Sequence, residues 1–368
     1  MIEDEHHVTN DTPATTSLAA DHPFIDGRTT SAPLVEAAFG RTPTHTPVWF
    51  MRQAGRSLPE YRKAREGVGM LEACFTAEHV VEITMQPVRR YGVDAAILFS
   101  DIVVPLRAVG VDVDIVAGVG PVMGSPVRTR ADVERIGDLE PHMVSGVLEA
   151  IGALTTELGS TPLIGFAGAP FTLASYLVEG GPSRDHVHTK TLMYSDPELW
   201  NDLLSRIASI CSSFLSMQIE AGASAVQLFD SWVGALSLND YERYVRPHSA
   251  RVLGDVAHYR VPRIHFGVVS GELLTSMGQA GAEVVGVDFR VALDEASTRV
   301  PGRSVQGNLD PAMLFSPWEV VAARTREILA AGKAAPGHIF NLGHGVLPET
   351  DPDMLKRVTD LVHEETTS

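Results

Sequence analysis

The sequence predicts an α/β protein, a single-domain (β/α)8 barrel of the TIM type. Three observations carry that expectation. Eight short apolar, β-rich runs alternate with longer helical patterns along the chain. Polar residues of the kinds used in binding and catalysis fall just after those runs, where a barrel places its active site. No glycine-rich dinucleotide turn follows the first run, as the competing doubly wound sheet would favour.

The chain begins with an acidic stretch, with six acids and one arginine before Thr29. It lacks the basic and apolar blocks of a secretory signal. Residues 1–32 are therefore expected to be a mobile leader, and residues 33–368 the catalytic barrel.

The first apolar run is Pro47–Met51, followed by Ala95–Ser100, Leu163–Gly168 and Ala225–Phe229. Arg263–Val268, Val284–Asp288, Ser304–Gly307 and His338–Asn341 complete the set. Unbroken apolar runs suit strands buried on both faces, as in a parallel sheet. Between them, Thr76–Tyr91 reads as a helix capped by Thr76. Pro197–Ala221 follows Asp196 and stops at Gly222. Ser316–Ala331 opens with Ser316 and Glu319 spaced as a capping box, and Gly332 ends it. Asp101–Arg130 reads as an excursion holding a β-hairpin through VGVDVDIV.

Composition narrows the function. A formal charge of -17 argues against non-specific nucleic-acid binding. No apolar run approaches the roughly 18 residues of a membrane helix. Two cysteines in 368 residues do not make a disulfide framework, so a reducing cytoplasm is expected. Cys74 and Cys211 read as buried packing residues, and His186 and His188 as surface-loop histidines.

Against this acidic background, Arg52–Arg65 carries four arginines and one lysine against one glutamate. Arg62, Lys63 and Arg65 fit a solvated helix face. Arg52 and Arg56 flank Gln53-Ala54-Gly55, where small residues let a backbone approach a ligand. The guanidinium fork matches carboxylates and phosphates. A polyanionic small molecule at the barrel mouth follows. Asp101 reads about evenly as a structural residue, either a helix N-cap or an arginine's partner, and as a functional carboxylate in a partly apolar mouth.

Six segments, in order, resemble the uroporphyrinogen decarboxylase family of bacterial type. They are PVWFMRQAGRSLPEYRKAR from Pro47, FSDI at Phe99–Ile102 and GFAGAPFTLASYLVEG at Gly165–Gly180. LFDSWVG at Leu228–Gly234, GNLDP at Gly307–Pro311 and NLGHGV at Asn341–Val346 follow. The likeness runs from about Pro33 to Val362. It implies a (β/α)8 barrel, a homodimer, and no metal or organic cofactor. It implies removal of CO2 from the four acetate arms of uroporphyrinogen, giving coproporphyrinogen. By motif position, Arg52, Gln53, Ala54, Gly55, Arg56 and Arg65 would bind substrate. Asp101 would sit at the centre, Tyr176 beside it, and Ser231 and His344 at the rim. Arg52, Asp101, Tyr176 and His344 would serve catalysis. Ser57 stands where the family often has an aromatic residue, and Trp232 follows the rim serine; neither changes a charge. Two rivals compete: a zinc-dependent methyltransferase of the same superfamily, and a non-catalytic tetrapyrrole binder. The first needs a thiolate beside His265, where the chain reads His265-Phe266-Gly267. The second has no use for Asp101.

Overall fold

The computed structural model describes residues 18–367. Seven parallel strands form one sheet in the order β1-β4-β5-β6-β7-β8-β9. They are β1 (Ala96–Ile97), β4 (Leu163–Gly168), β5 (Ala225–Asp230), β6 (Arg263–Gly267), β7 (Val284–Gly286), β8 (Ser304–Gln306) and β9 (His338–Ile339). β2 (Val113–Val116) and β3 (Gly120–Met123) make a separate antiparallel hairpin inside the expected excursion. Every residue of β4, and nearly every residue of β5, is buried, which is why both read as unbroken apolar runs.

The first run is the exception. Pro47–Met51 makes only one ladder bridge, Val48 to Phe340. Side chains claim most of its amides. The N–H of Val48 donates to Asp94 Oδ2 (2.7 Å), that of Phe50 to Gln53 Oε1 (2.9 Å), and that of Met51 to Asn341 Oδ1 (3.0 Å). Only Trp49 donates to the backbone of a neighbouring run, at Phe340 O (3.3 Å), while Val48 O accepts from Asp94 N (2.8 Å). The segment therefore lies between β9 and β1 without being a regular strand.

Helix ends obey local chemistry where the chain is free to do so. Pro197–Ala221 forms as expected, with Asp196 accepting from Leu199 N (3.0 Å). The expected cap at Thr76 does not form, because its hydroxyl donates back to Glu72 O (2.8 Å). The capping box at Ser316 is also absent. A 3-10 turn at Pro311–Phe315 runs into Ser316, so the helix begins at Trp318 and ends at Gly332.

The expected leader divides. Its residues 1–17 lie outside the described residues. Residues 18–32 are packed against the folded body rather than mobile. His22 Nε2 meets Ile219 O (2.8 Å), Thr29 donates to Ser224 Oγ (2.9 Å), and Arg28 donates to Thr155 O (3.1 Å). Leu18 and Phe24 pack on the core. The acidic composition hid these few anchors.

Inside the sheet, one chain of side-chain hydrogen bonds crosses between strands. Trp49 Nε1 donates to Gln306 Oε1 (3.0 Å), and Gln306 Nε2 donates to Gln227 Oε1 (2.9 Å). Among the described residues, no helix is long and apolar enough to cross a membrane.

Candidate active site at the strand ends

Parallel strands deliver their C-terminal ends to one rim, and the loops there carry the expected polar residues. Arg52 follows the first run in a left-handed conformation, φ 62°. A Cβ on Gly55 would stand 2.8 Å from Arg52 O, so only glycine allows this turn. Gly345 backs onto the Arg52 side chain, where a Cβ would stand 2.5 Å from Cδ. Val346 N donates to Met51 O (2.8 Å). The loop bearing His344 is thereby tied to the loop bearing Arg52, almost three hundred residues earlier.

Asp101 lies half-buried beyond β1. Its Oδ1 accepts from Val103 N (3.1 Å) within a turn; the helix that follows, Val104–Ala108, has Val103 at its N-cap, so Asp101 is not the N-cap expected. Its carboxyl is nonetheless held above the ordinary carboxylate range. Burial is the largest cause; the Val103 amide, the Arg52 charge and the Ile102 amide pull the other way without prevailing.

Tyr176 lies in the helix Pro170–Glu179 and is buried, with its ring 5.7 Å from Trp232. Burial raises its phenol pKa; Asp101 adds to that and Arg52 opposes it. No hydrogen bond joins Tyr176 to Asp101 among the described residues. His344 is half-buried, and its Nδ1 accepts from Gly345 N (2.7 Å). In the neutral ring the proton must then sit on Nε2, which becomes a donor. Burial lowers the His344 pKa, and the charges of Arg52 and Arg290 lower it further against Asp288. Arg52 is thus within electrostatic reach of Asp101, Tyr176 and His344 together.

The other expected residues are less alike. Arg52 and Arg56 are exposed, and neither has an ion-pair partner among the described residues. Arg56 lies near Tyr61, whose ring packs 5.9 Å from Phe99. Arg62 and Lys63 are exposed on the helix Pro59–Ala64, as a solvated face should be. Arg65 turns inward instead. It donates to Gly69 O, its guanidinium lies 6.0 Å from the Tyr61 ring centre, and its Nε is buried without a partner. Arg65 and Asp101 both bear on the buried Cys74 thiol, which burial keeps protonated.

Gln53 is fully buried, with Oε1 taken by Phe50 N and Nε2 by Ala95 O (3.1 Å). Its side chain shapes the loop and is closed off from solvent. Ala54, Gly55 and Ser231 are partly exposed at the rim. Beside Ser231, Trp232 N donates to Thr172 Oγ1 (3.2 Å), and Thr172 donates to Asp230 Oδ1 (2.8 Å).

Sequence reasoning passed over one pair. Asp288 and Arg290 follow β7, with Nη1 of Arg290 2.9 Å from Asp288 Oδ2. Asp288 also accepts from the amides of Val269 and Arg290. Arg290 remains exposed, stacked 4.3 Å from the Phe289 ring centre and facing His344. The strand-end position of DFR was the available signal. His186 is a correction: it is buried against Trp232 (5.3 Å) and Phe171 (6.3 Å), while His188 is exposed. A left-handed turn at His186, φ 51°, swings its ring inward. Both cysteines are free and buried.

The profile of the family described as uroporphyrinogen decarboxylase (URO-D) matches residues 29–365. The chain belongs to the uroporphyrinogen decarboxylase family. A uroporphyrinogen decarboxylase from Streptomyces coelicolor is 67% identical over 324 residues, covering 88% of this chain and 91% of that protein. One from Salinispora tropica is 62% identical over 359 residues, covering 97% of each. Among solved structures, a methyltransferase from Methanosarcina mazei superposes with a TM-score of 0.77 at 18% identity, covering 92% of this chain and 99% of that one. That likeness concerns the fold alone.

Proposed function

We propose that the chain is a carboxy-lyase that removes CO2 from the four acetate arms of uroporphyrinogen to give coproporphyrinogen. The observation that carries this reading is the placing of Arg52. An unpaired guanidinium stands at the rim within the field of an enclosed carboxylate, a buried phenol and a neutral imidazole. The matching family and its close relatives support it. The reading includes a closed (β/α)8 barrel, with Pro47–Met51 as the eighth stave; the bonds from Trp49 to Phe340 and from Asp94 to Val48 support closure. It also includes a cytoplasmic homodimer, which rests on the family resemblance and is tested by sedimentation.

Losing CO2 leaves an electron pair on carbon. Many decarboxylases pass it to a cofactor. A pyrrole can accept it after a proton is added to the ring carbon next to the one bearing the acetate. That proton makes the ring cationic. The electrons of the breaking C–C bond then form an exocyclic double bond and neutralise the ring. A second proton on the exocyclic carbon completes the methyl group, and loss of the first proton from the ring carbon restores the pyrrole.

Asp101 accepts hydrogen bonds from the pyrrole N–H groups and stabilises the positive ring. Its raised basicity strengthens those bonds. Arg52 and Arg56 bind arm carboxylates and so fix which acetate lies over the reacting position. His344 donates from Nε2 to another arm. Its lowered pKa leaves little imidazolium to serve as an acid at neutral pH. Arginine is also a reluctant acid, so a water held by Arg52 suits the proton delivery better than either side chain.

The methyltransferase rival fails on its thiolate. Gly267 stands where cysteine is needed, and a Cβ there would lie 2.8 Å from the Val233 side chain. No group of three metal-binding side chains gathers there among the described residues. The binder rival lacks a reason for an enclosed carboxylate. Anaerobic incubation with uroporphyrinogen should release four CO2 for each coproporphyrinogen formed. Tight binding without CO2 release would leave a tetrapyrrole binder instead.

A further inference from the structure

On the opposite face of the sheet, three segments distant in sequence meet at one carboxylate. Asp94 precedes β1, His45 precedes the first run, and His363 lies on the last helix, Pro352–Thr366. His45 Nε2 lies 2.7 Å from Asp94 Oδ1, and His363 Nε2 lies 2.8 Å from Asp94 Oδ2. The two imidazoles meet edge to face, 4.5 Å apart.

We propose that His45, Asp94 and His363 form a zinc-class metal site on the N-terminal face. One ligand atom from each lies within 4.8 Å of the others. Two imidazoles and a carboxylate are borderline ligands that suit zinc; calcium and magnesium need larger oxygen sets. The side chains are 21%, 10% and 28% exposed, so an ion can enter from solvent and a water can take the fourth position. Thr44 Oγ1 lies 3.1 Å from His45 Nδ1, placed to accept the proton that metal binding moves to that nitrogen. Val48 N donates to Asp94 Oδ2 and fixes the carboxylate.

The ligand atoms are closer than a metal would hold them. With bonds of about 2.0–2.2 Å, tetrahedral edges are roughly 3.3 Å. Each nitrogen–oxygen contact must therefore open by about half an ångström, within reach of a small ring rotation. On binding, each Nε2 exchanges a hydrogen bond for a metal bond. A neutral ring shifts its proton to Nδ1; a protonated ring releases one to solvent. The site would staple the chain's early and late segments across the barrel floor, apart from the mouth chemistry.

Calorimetry of the tag-free full chain with zinc chloride tests this. The wild type should bind one zinc per chain, melt higher with zinc, and show no such rise with calcium. His363→Gln keeps an N–H for Asp94 and should weaken zinc binding by roughly tenfold or more, with decarboxylation unchanged. Should that variant fold poorly, cobalt(II) on the wild type gives an independent reading, through the strong visible band of a tetrahedral site. Equal zinc affinity in wild type and folded variant would overturn the proposal. So would a wild type with neither stoichiometric zinc binding nor a cobalt band, which would leave a triad held by protons alone.

Discussion

Replacing Asp101 with asparagine should separate stability from catalysis. The substitution keeps the size and the Oδ1 that accepts from Val103 N, 3.1 Å away. It removes a charge that burial holds at a cost, as the upward shift shows. The sign follows. With its folded pKa above its unfolded one, the folded protein binds more protons between the two values, so stability falls as pH rises through that interval. The penalty is complete above the folded value and absent below the unfolded one. Asp101→Asn should therefore melt no lower than wild type at neutral pH, with its advantage fading in acid. Turnover should move the other way. A preorganised group facing developing charge is worth about 3–4 kcal/mol, which is roughly a hundredfold to a thousandfold in kcat. KM should change little, because the proposed clamps on the arms are Arg52 and Arg56. Anaerobic CO2 release and thermal melts across pH give both numbers. A folded variant within a few-fold of wild-type kcat would refute the role of Asp101. A large fall in melting temperature at neutral pH would refute the burial argument.

Three further outcomes are expected. Arg56→Ala loses a charge-assisted contact worth about 1.5–3 kcal/mol, so KM should rise roughly tenfold to a hundredfold with kcat nearly kept; direct binding and steady-state kinetics check this. Gln53→Leu strands Phe50 N and Ala95 O, costing roughly 2–4 kcal/mol on denaturant unfolding; an unchanged midpoint would return Gln53 to the list of ligand-facing residues. Arg290→Gln removes one of the charges that disfavour imidazolium, so the His344 pKa should rise towards its ordinary value in a histidine NMR titration. A fall would mean that Arg290 faces elsewhere.

Much of this protein was legible in its sequence for local reasons. Strands buried on two faces must be apolar throughout, so β4 and β5 announced themselves. Caps act within a few residues, so Asp196 marked a helix start correctly. Strand ends face the mouth whatever the distant contacts, which picked out Arg52, Asp101 and His344. Tertiary contacts decided the rest. Gln53 turned inward because Phe50 N and Ala95 O needed partners. Pro47–Met51 lost its ladder to the side chains of Asp94, Gln53 and Asn341. Asp101 gained its basicity from burial in the folded chain, and His45, Asp94 and His363 met only when the chain folded. Periodicity and capping are properties of neighbours along the chain; desolvation and convergence depend on neighbours in space.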